Sequence, residues 1–188
     1  MTPQPDNLPT IFLQGERVYV RPLESSDVRR AQRWVNDPET RVPLGSLFRP
    51  MSEDAEREFI ESTAKDENAV HLAIVLRDGD RHIGVMGLHE LNWKDRRATF
   101  GIFIGEKDCR GRGYGTEATQ LMLQHAFRSL NLHRVELTVY AFNKQAIRSY
   151  EKAGFVHEGT KREDAFVDGR YVDSLLYAIL ATEYFAKP

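Results

Sequence analysis

The sequence predicts an α/β domain in which one sheet is flanked by helices, and three observations carry that reading. The apolar run Phe100-Gly101-Ile102-Phe103-Ile104 gives way, through a turn with three glycines, to a segment whose Ala118, Leu121, Met122 and Ala126 fall on one helical face. The alternating strand Val135, Leu137, Val139 leads into a helix closed by Gly154, a glycine at the C-cap. Strand and helix signals follow one another with no linker, and 188 residues is an ordinary single-domain length that buries a substantial core.

Met1 to Thr10, rich in proline and polar residues, reads as a mobile tail, which leaves residues 11–188 as one domain. Val18 to Val20 begins the first strand. Ser25-Ser26-Asp27 caps a helix that runs to about Asn36, where Asp37-Pro38 stops it. Val42 to Pro50 has no clear period and is expected to be a loop, after which Ser52-Glu53-Asp54 opens a helix to about Ala64. Val70 to Leu76 and His82 to Leu91 form a hairpin about Asp78-Gly79-Asp80, and Arg97 to Ile104 pairs next. The glycine turn and its helix follow, then His133 to Tyr140, the helix after Asn143, and a closing hairpin through Asp168-Gly169.

The most informative stretch is Cys109-Arg110-Gly111-Arg112-Gly113-Tyr114-Gly115-Thr116-Glu117. Alternate glycines tolerate positive φ and let backbone N–H groups converge on one anion, and the following helix adds its free N–H groups and positive dipole end. The Walker pattern, Gly-x4-Gly-Lys-Ser/Thr, does not occur. The Rossmann fingerprint fails as well, because the glycines run Gly111-x-Gly113-x-Gly115 and Glu106 to Arg110 separate them from the strand. What remains is Arg-x-x-Gly-x-Gly, with Arg110, Gly113 and Gly115 fixed; a tight strand-to-helix connection would use glycines too.

A second motif, Asn143-Lys144-Gln145-Ala146-Ile147-Arg148-Ser149-Tyr150-Glu151-Lys152-Ala153-Gly154-Phe155, places Asn143, Ala146 and Tyr150 on one helical face. Read singly, Asn143 fits an N-cap and Tyr150 a half-buried core aromatic. The glycine loop resembles the coenzyme A loop of the GNAT N-acetyltransferases, and the Asn143–Phe155 segment, at this distance after it, resembles a second segment of that family position for position. The likeness runs from Val18-Tyr19-Val20-Arg21-Pro22-Leu23 to the last strand. It is nearest the branch of ribosomal-protein and spermidine acetyltransferases, which shares phrases like Leu130-Asn131-Leu132-His133-Arg134 and Asp168-Gly169-Arg170-Tyr171.

That resemblance implies a GNAT fold, a mixed and mostly antiparallel sheet whose fourth and fifth strands splay apart, with acetyl-CoA as cosubstrate. Arg110, Gly111, Arg112, Gly113, Tyr114, Gly115 and Thr116 would cradle the pyrophosphate. Pantetheine would lie in the gap against the backbone of Ile102, Phe103 and Ile104, where Gly101 fits a bend or bulge. Asn143, beside Ala146, would meet the pantetheine arm, and the Tyr150 hydroxyl would sit by the thioester sulfur. Lys144 or Arg148 would suit the 3′-phosphate.

The implied reaction is direct attack of a neutral amine on the thioester, with Tyr150 donating to the leaving sulfur. Deprotonating an alkylamine at pH 7 costs about 4.6 kcal/mol, and a peptide α-amine about 1.1 kcal/mol. Related enzymes often carry a glutamate in Ala-Glu-x-Gly of the fourth strand, whereas this chain has Ala98-Thr99-Phe100-Gly101, and Thr99 cannot act as a base. Glu90 is the best substitute and His89 the second, with alternation expected to put them on opposite faces. The missing base tilts the acceptor toward a peptide N-terminal α-amine, with polyamines and aminated antibiotics also open. A non-catalytic acyl-CoA-binding module is the alternative from another class.

Composition narrows the partners. A formal net charge of −2 and the lack of a basic run argue against nucleic acid and anionic membranes. A single cysteine, Cys109, excludes an intramolecular disulfide and fits a reducing cytoplasm, as does the lack of a signal-peptide pattern or long apolar run. The six histidines, His71, His82, His89, His125, His133 and His157, show no metal-ligand spacing, so no metal is expected. A homodimer stays open.

Overall fold

The computed structural model describes residues 10–45 and 49–186. β1 (Leu13–Gln14) and β2 (Val18–Pro22) form a small hairpin, and a 3-10 turn at Ser25–Asp27 leads into α1 (Val28–Asn36), α2 (Pro38–Leu44) and α3 (Glu53–Thr63). β3 (Val70–Leu76), β4 (His82–Asn92) and β5 (Arg97–Ile104) make a meander. α4 (Tyr114–Gln124) crosses over to β6 (Arg134–Tyr140). α5 (Lys144–Ala153), the long hairpin of β7 (Val156–Val167) and β8 (Arg170–Leu180), and α6 (Ala181–Phe185) complete the chain. The sheet runs β1-β2-β3-β4-β5-β6-β8-β7, and every neighbouring pair is antiparallel except β5 with β6.

That one parallel pair is short. Arg97, Ala98 and Thr99 pair with Arg134, Val135 and Glu136, and from Phe100 to Ile104 β5 has no partner on β6. β6 meanwhile pairs with β8 along its whole length, from Arg134↔Leu180 to Tyr140↔Ser174. The expected splay is present, between the fifth and sixth strands rather than the fourth and fifth, because two-residue β1 precedes the strand that begins at Val18. So short a strand has no readable period.

Two further elements differ from the sequence reading. Asp37-Pro38 ends α1 but also begins α2: Asp37 accepts from Glu39 N at 2.9 Å, and proline suits the first helical position because the N–H it lacks would be unpaired there. Val42 to Leu44 therefore extend a helix instead of opening a loop. The remainder of that loop at 46–48, and the tail at 1–9, lie outside the described residues. After α4 the chain passes through a π turn, His125–Ser129, with Leu130 N donating to His125 O at 3.0 Å.

The pleat distributes side chains to two faces. Leu72, Ile74, Met86, Leu88, Phe100 and Val135 pack under Ala118, Met122 and Ala126 and against Ile147 and Tyr150, forming the main core on the α4/α5 side. The periodic stripe read in the sequence is thus the buried face of α4. On the other side Val28, Ala31 and Trp34 of α1 and Ile60 of α3 cover Val85 and Phe103.

The α1 side hangs on a buried carboxylate. Asp27 is 4% exposed and takes two bonds from the Arg21 guanidinium, at 2.7 and 2.8 Å, and one from Glu24 N at 2.9 Å. His82 Nδ1 approaches to 2.8 Å, without hydrogen-bond alignment, while its Nε2 meets Gly84 O at 2.9 Å. Burial alone would push the Asp27 carboxyl up, but the Arg21 bonds, the nearby His82 and the Glu24 N–H outweigh it and hold the group well below the usual carboxylate range. Arg21→Met strands this carboxylate and should cost about 3–5 kcal/mol in urea unfolding, with Arg21→Met/Asp27→Leu recovering most of it. Since the folded-state pKa lies below the unfolded one, the Asp27 contribution is whole above about pH 4 and is lost as pH falls toward the folded value.

Candidate functional site

The glycine loop adopts the backbone that its residues permit. Gly111 and Gly113 have φ of 73° and 86°, the left-handed region, and Gly113 is the N-cap of α4. Among the described residues no backbone N–H from Gly111 to Thr116 has an acceptor within the chain; the first inward bond is Glu117 N to Gly113 O. Consecutive unpaired donors at the positive end of a helix make an anion cradle. Gly115 has an ordinary φ and leaves room beside Ile104, where a Cβ would stand 3.7 Å from Cγ1. Thr116 and Ser149 hydroxyls meet at 2.7 Å, tying the loop to α5.

The two arginines of the loop differ. Arg112 is exposed, whereas Arg110 turns inward to Ile104 O (2.9 Å), Gly105 O (3.2 Å), Thr40 Oγ1 (2.7 Å) and Glu39 Oε2 (3.2 Å). Its guanidinium braces the end of β5 against α2. Cys109 is buried, and burial pushes its thiol up, which makes it a packed and unreactive side chain.

The gap begins where the β5–β6 pairing stops. Ile102 and Ile104 face the main core and Phe103 the α1 side, so the backbone of all three lines the opening. Trp34 lies flat on Gly105 just beyond: a Cβ there would stand 2.0 Å from Cδ2 of the indole, and Trp34 Nε1 donates to Glu106 Oε1 at 3.2 Å. Asn143 is the N-cap of α5, with its Oδ1 accepting from Ala146 N at 3.2 Å, and its amide NH2 has no acceptor among the described residues. Tyr150 is 8% exposed, packed edge-on to Phe100 (ring centroids 6.4 Å) and Phe155 (5.8 Å). Among the described residues its hydroxyl makes no hydrogen bond, and burial pushes it up to about 12, so it stays protonated at neutral pH.

On the opposite face of β5 the structure corrects the sequence reading. Alternation was expected to separate His89 from Glu90, but the β4–β5 register slips between His89 and Asn92, and Glu90 takes a φ of 53°. Such a bulge re-aims a side chain. His89 lies across Gly101, with Nε2 3.2 Å from where a Cβ would stand, and the Glu90 carboxylate accepts from Thr99 Oγ1 at 3.0 Å. Thr99 and Gly101 share a face, so His89 and Glu90 do too. The bend or bulge expected at Gly101 is likewise absent: Gly101 pairs regularly with Gly87, and its missing side chain is the space that His89 fills.

His71 of β3 meets His89 edge to face (4.7 Å) and is met the same way by Phe59 of α3 (5.3 Å). Burial, reinforced by His89, pushes His71 down to about 4; burial also lowers His89, against the opposing pull of Glu90 and Asp66. Both rings are therefore neutral near pH 7. Glu136 of β6, level with Thr99, is occupied by Arg97 (3.3 Å) and Arg134 (2.7 Å). A proton donor on one face of Phe100–Gly101 and proton acceptors on the other suit acyl transfer to an amine in the gap between.

Two residues at the site escaped the sequence reading. Arg17 reaches the back of the glycine loop from the β1–β2 turn, and Trp34 fixes the end of β5 from α1. Neither belongs to a motif or lies near these elements in the chain, so no local signal marks them.

An anion cradle at a helix start beside a splayed strand, with a buried tyrosine on the next helix, suits an acyl-transferase that takes its acyl group from a phosphate-bearing carrier. Comparison with known proteins agrees: residues 17–156 match the family model for the acetyltransferase (GNAT) domain. The chain is 30% identical to the spermidine N(1)-acetyltransferase of Escherichia coli over 175 residues, covering 90% of this chain and 89% of that one. It is 31% identical to the probable N-acetyltransferase YjcK of Bacillus subtilis over 176 residues, covering 90% and 97%. The crystal structure of spermidine N-acetyltransferase from Vibrio cholerae in complex with CoA and spermine superposes with a TM-score of 0.83 at 29% identity, over 90% of this chain and 98% of that one. The chain belongs to the GNAT acetyltransferase family and is an acetyl-CoA-dependent N-acetyltransferase.

Because β5 ends on the Trp34 indole, Gly105→Ala should displace that ring and cost about 1–3 kcal/mol, the usual penalty for overpacking. Urea denaturation monitored by tryptophan fluorescence measures it.

Proposed function

We propose that this enzyme acetylates a primary alkylamine of the small polycationic class, with Glu90 as the base and Tyr150 as the donor to sulfur. The observation that supports it is the Glu90 carboxylate standing 3.0 Å from Thr99 Oγ1. The tilt toward a peptide α-amine rested on Thr99 having replaced the acidic residue at that position. A left-handed residue in a bulge costs about 1–3 kcal/mol and tends to persist where function maintains it, and here it returns a carboxylate to the same face. A carboxylate holds an alkylammonium, and neutral His71 and His89 do not repel one. The spermidine acetyltransferases among the relatives point the same way.

In this reading the N–H groups of Gly111 to Thr116 take the diphosphate, with Arg112 at its edge and Tyr114 beside it. The open side of Ile102, Phe103 and Ile104 takes the pantetheine amides, which hydrogen-bond as a neighbouring strand would. The free amide of Asn143, with Ala146 leaving room, meets the same arm. The bound alkylammonium first gives up one proton to solvent water, the neutral nitrogen then bonds to the thioester carbonyl carbon, the C–S bond breaks, and Glu90 takes the second proton that the nitrogen sheds. Against a thiol near 8.5, a phenol held near 12 gives up its proton uphill, so Tyr150 stabilises the departing sulfur by donating a hydrogen bond, and water completes the thiol.

Tyr150→Phe should fold, keep its KM for acetyl-CoA, and lose about 10²–10³-fold in kcat, as for removal of one preorganised donor. An unchanged single-turnover rate would remove Tyr150 from the chemistry.

The acceptor is tested by a panel of linear polyamines and short peptides assayed across pH 6–9. Polyamines should lead in kcat/KM near pH 7, and Glu90→Gln should cost them about 10²-fold or more. Peptides leading, with Glu90→Gln silent, would restore the α-amine acceptor.

A further inference from the structure

The back of the glycine loop is held by a residue from the other end of the sheet. Arg17 Nη1 donates to Arg112 O at 3.0 Å, and its Nε donates to Glu117 Oε2 at 2.9 Å. The other oxygen of Glu117 accepts from the backbone N–H of Arg17 (2.7 Å) and Val18 (3.1 Å). Gly15 makes room for this contact, since a Cβ there would stand 2.5 Å from Glu117 Oε1. The guanidinium also lies 5.0 Å over the Tyr114 ring, and its Nη2 is 3.2 Å from where a side chain would begin at Gly113.

Two consequences follow from elementary geometry and charge. In a trans peptide the C=O and N–H point in opposite directions, so drawing Arg112 O onto Arg17 turns the Gly113 N–H away from it, into the cradle. Glu117 occupies the first turn of α4, where its negative charge would oppose a bound anion. Pairing with Arg17 cancels that charge, and the bonds from Arg17 N, Val18 N and the guanidinium outweigh burial and hold the Glu117 carboxyl below its ordinary value.

We propose that Arg17 is a positioning residue for the cofactor's diphosphate: it fixes the Arg112–Gly113 peptide with its N–H facing the anion and neutralises Glu117 behind it. This rests on the reading of the loop as the diphosphate site. Acetyl-CoA and acetyl-pantetheine share the thioester and its arm, but only the first carries the diphosphate and the nucleotide beyond it, and comparing them separates an effect at the cradle from one at the reacting end. Arg17→Gln should raise KM for acetyl-CoA about tenfold or more, the scale of a lost charge-assisted contact, with kcat retained. The same variant should keep kcat/KM for acetyl-pantetheine within about twofold of wild type, since that substrate never uses the cradle. Arg17→Lys, which keeps the charge but cannot reach Glu117 and Arg112 O together, should fall between. An equal loss with both substrates would mark Arg17 as a general structural residue and overturn the inference, as would an unchanged KM for acetyl-CoA. A wild-type enzyme that does not prefer acetyl-CoA to acetyl-pantetheine would overturn the diphosphate reading itself.

Discussion

The three-residue parallel pairing of β5 with β6 is the constraint on which the rest of the molecule depends. Backbone N–H and C=O groups inside a fold need partners, and a sheet normally supplies them along the full strand. Here β5 pairs with β6 only from Arg97 to Thr99, while Phe100 to Ile104 pair with β4 on one side and with no strand on the other, so the middle of the sheet holds an opening lined with hydrogen-bonding backbone. It stays open because each side is anchored elsewhere. β6 is paired with β8 throughout, while the far end of β5 is held by Arg110 on Ile104 O and by Trp34 on Gly105. Closing it would require breaking one of these anchors.

The pleat then separates two kinds of chemistry. Phe100 points into the α4/α5 core and brings Tyr150 with it, in surroundings apolar enough to keep the phenol protonated. Thr99 and Gly101, one residue to either side, point the other way, toward Glu90 and the paired imidazoles of His89 and His71. A protonated phenol and a carboxylate with two neutral imidazoles therefore sit on opposite faces of one strand at the mouth of the gap, and neither neutralises the other. The bulge at Glu90 is what departs from a regular sheet, and it restores a carboxylate where the strand itself carries a threonine.

The anion cradle is likewise assembled from distant parts. The glycines allow the loop to turn its N–H groups inward, but the loop's shape is secured by Arg110 from the front, reaching Thr40 of α2, and by Arg17 and Glu117 from the back, reaching the first hairpin. These are charge-assisted contacts at the loop's margins, which leave its donors unpaired for a ligand.

The sequence alone determined the elements whose signals are local. The strands at 70–76, 97–104 and 134–140, the helices capped by Ser52 and Asn143, the buried stripe of α4, and the left-handed glycines at 111 and 113 follow from period, cap and backbone preference within a few residues. Tyr150 and the glycine loop are legible as a candidate site for the same reason. Only the tertiary structure decided that His89 and Glu90 share a face, because a strand's alternation is a rule for regular pairing and the register slip is set by what β5 offers opposite. It also decided that Gly101 serves His89, that Pro38 starts a helix as well as stopping one, and that Arg110 braces β5. Arg17 and Trp34 join the site through contacts across long stretches of chain, and no spacing in the sequence records which distant backbone a side chain will find.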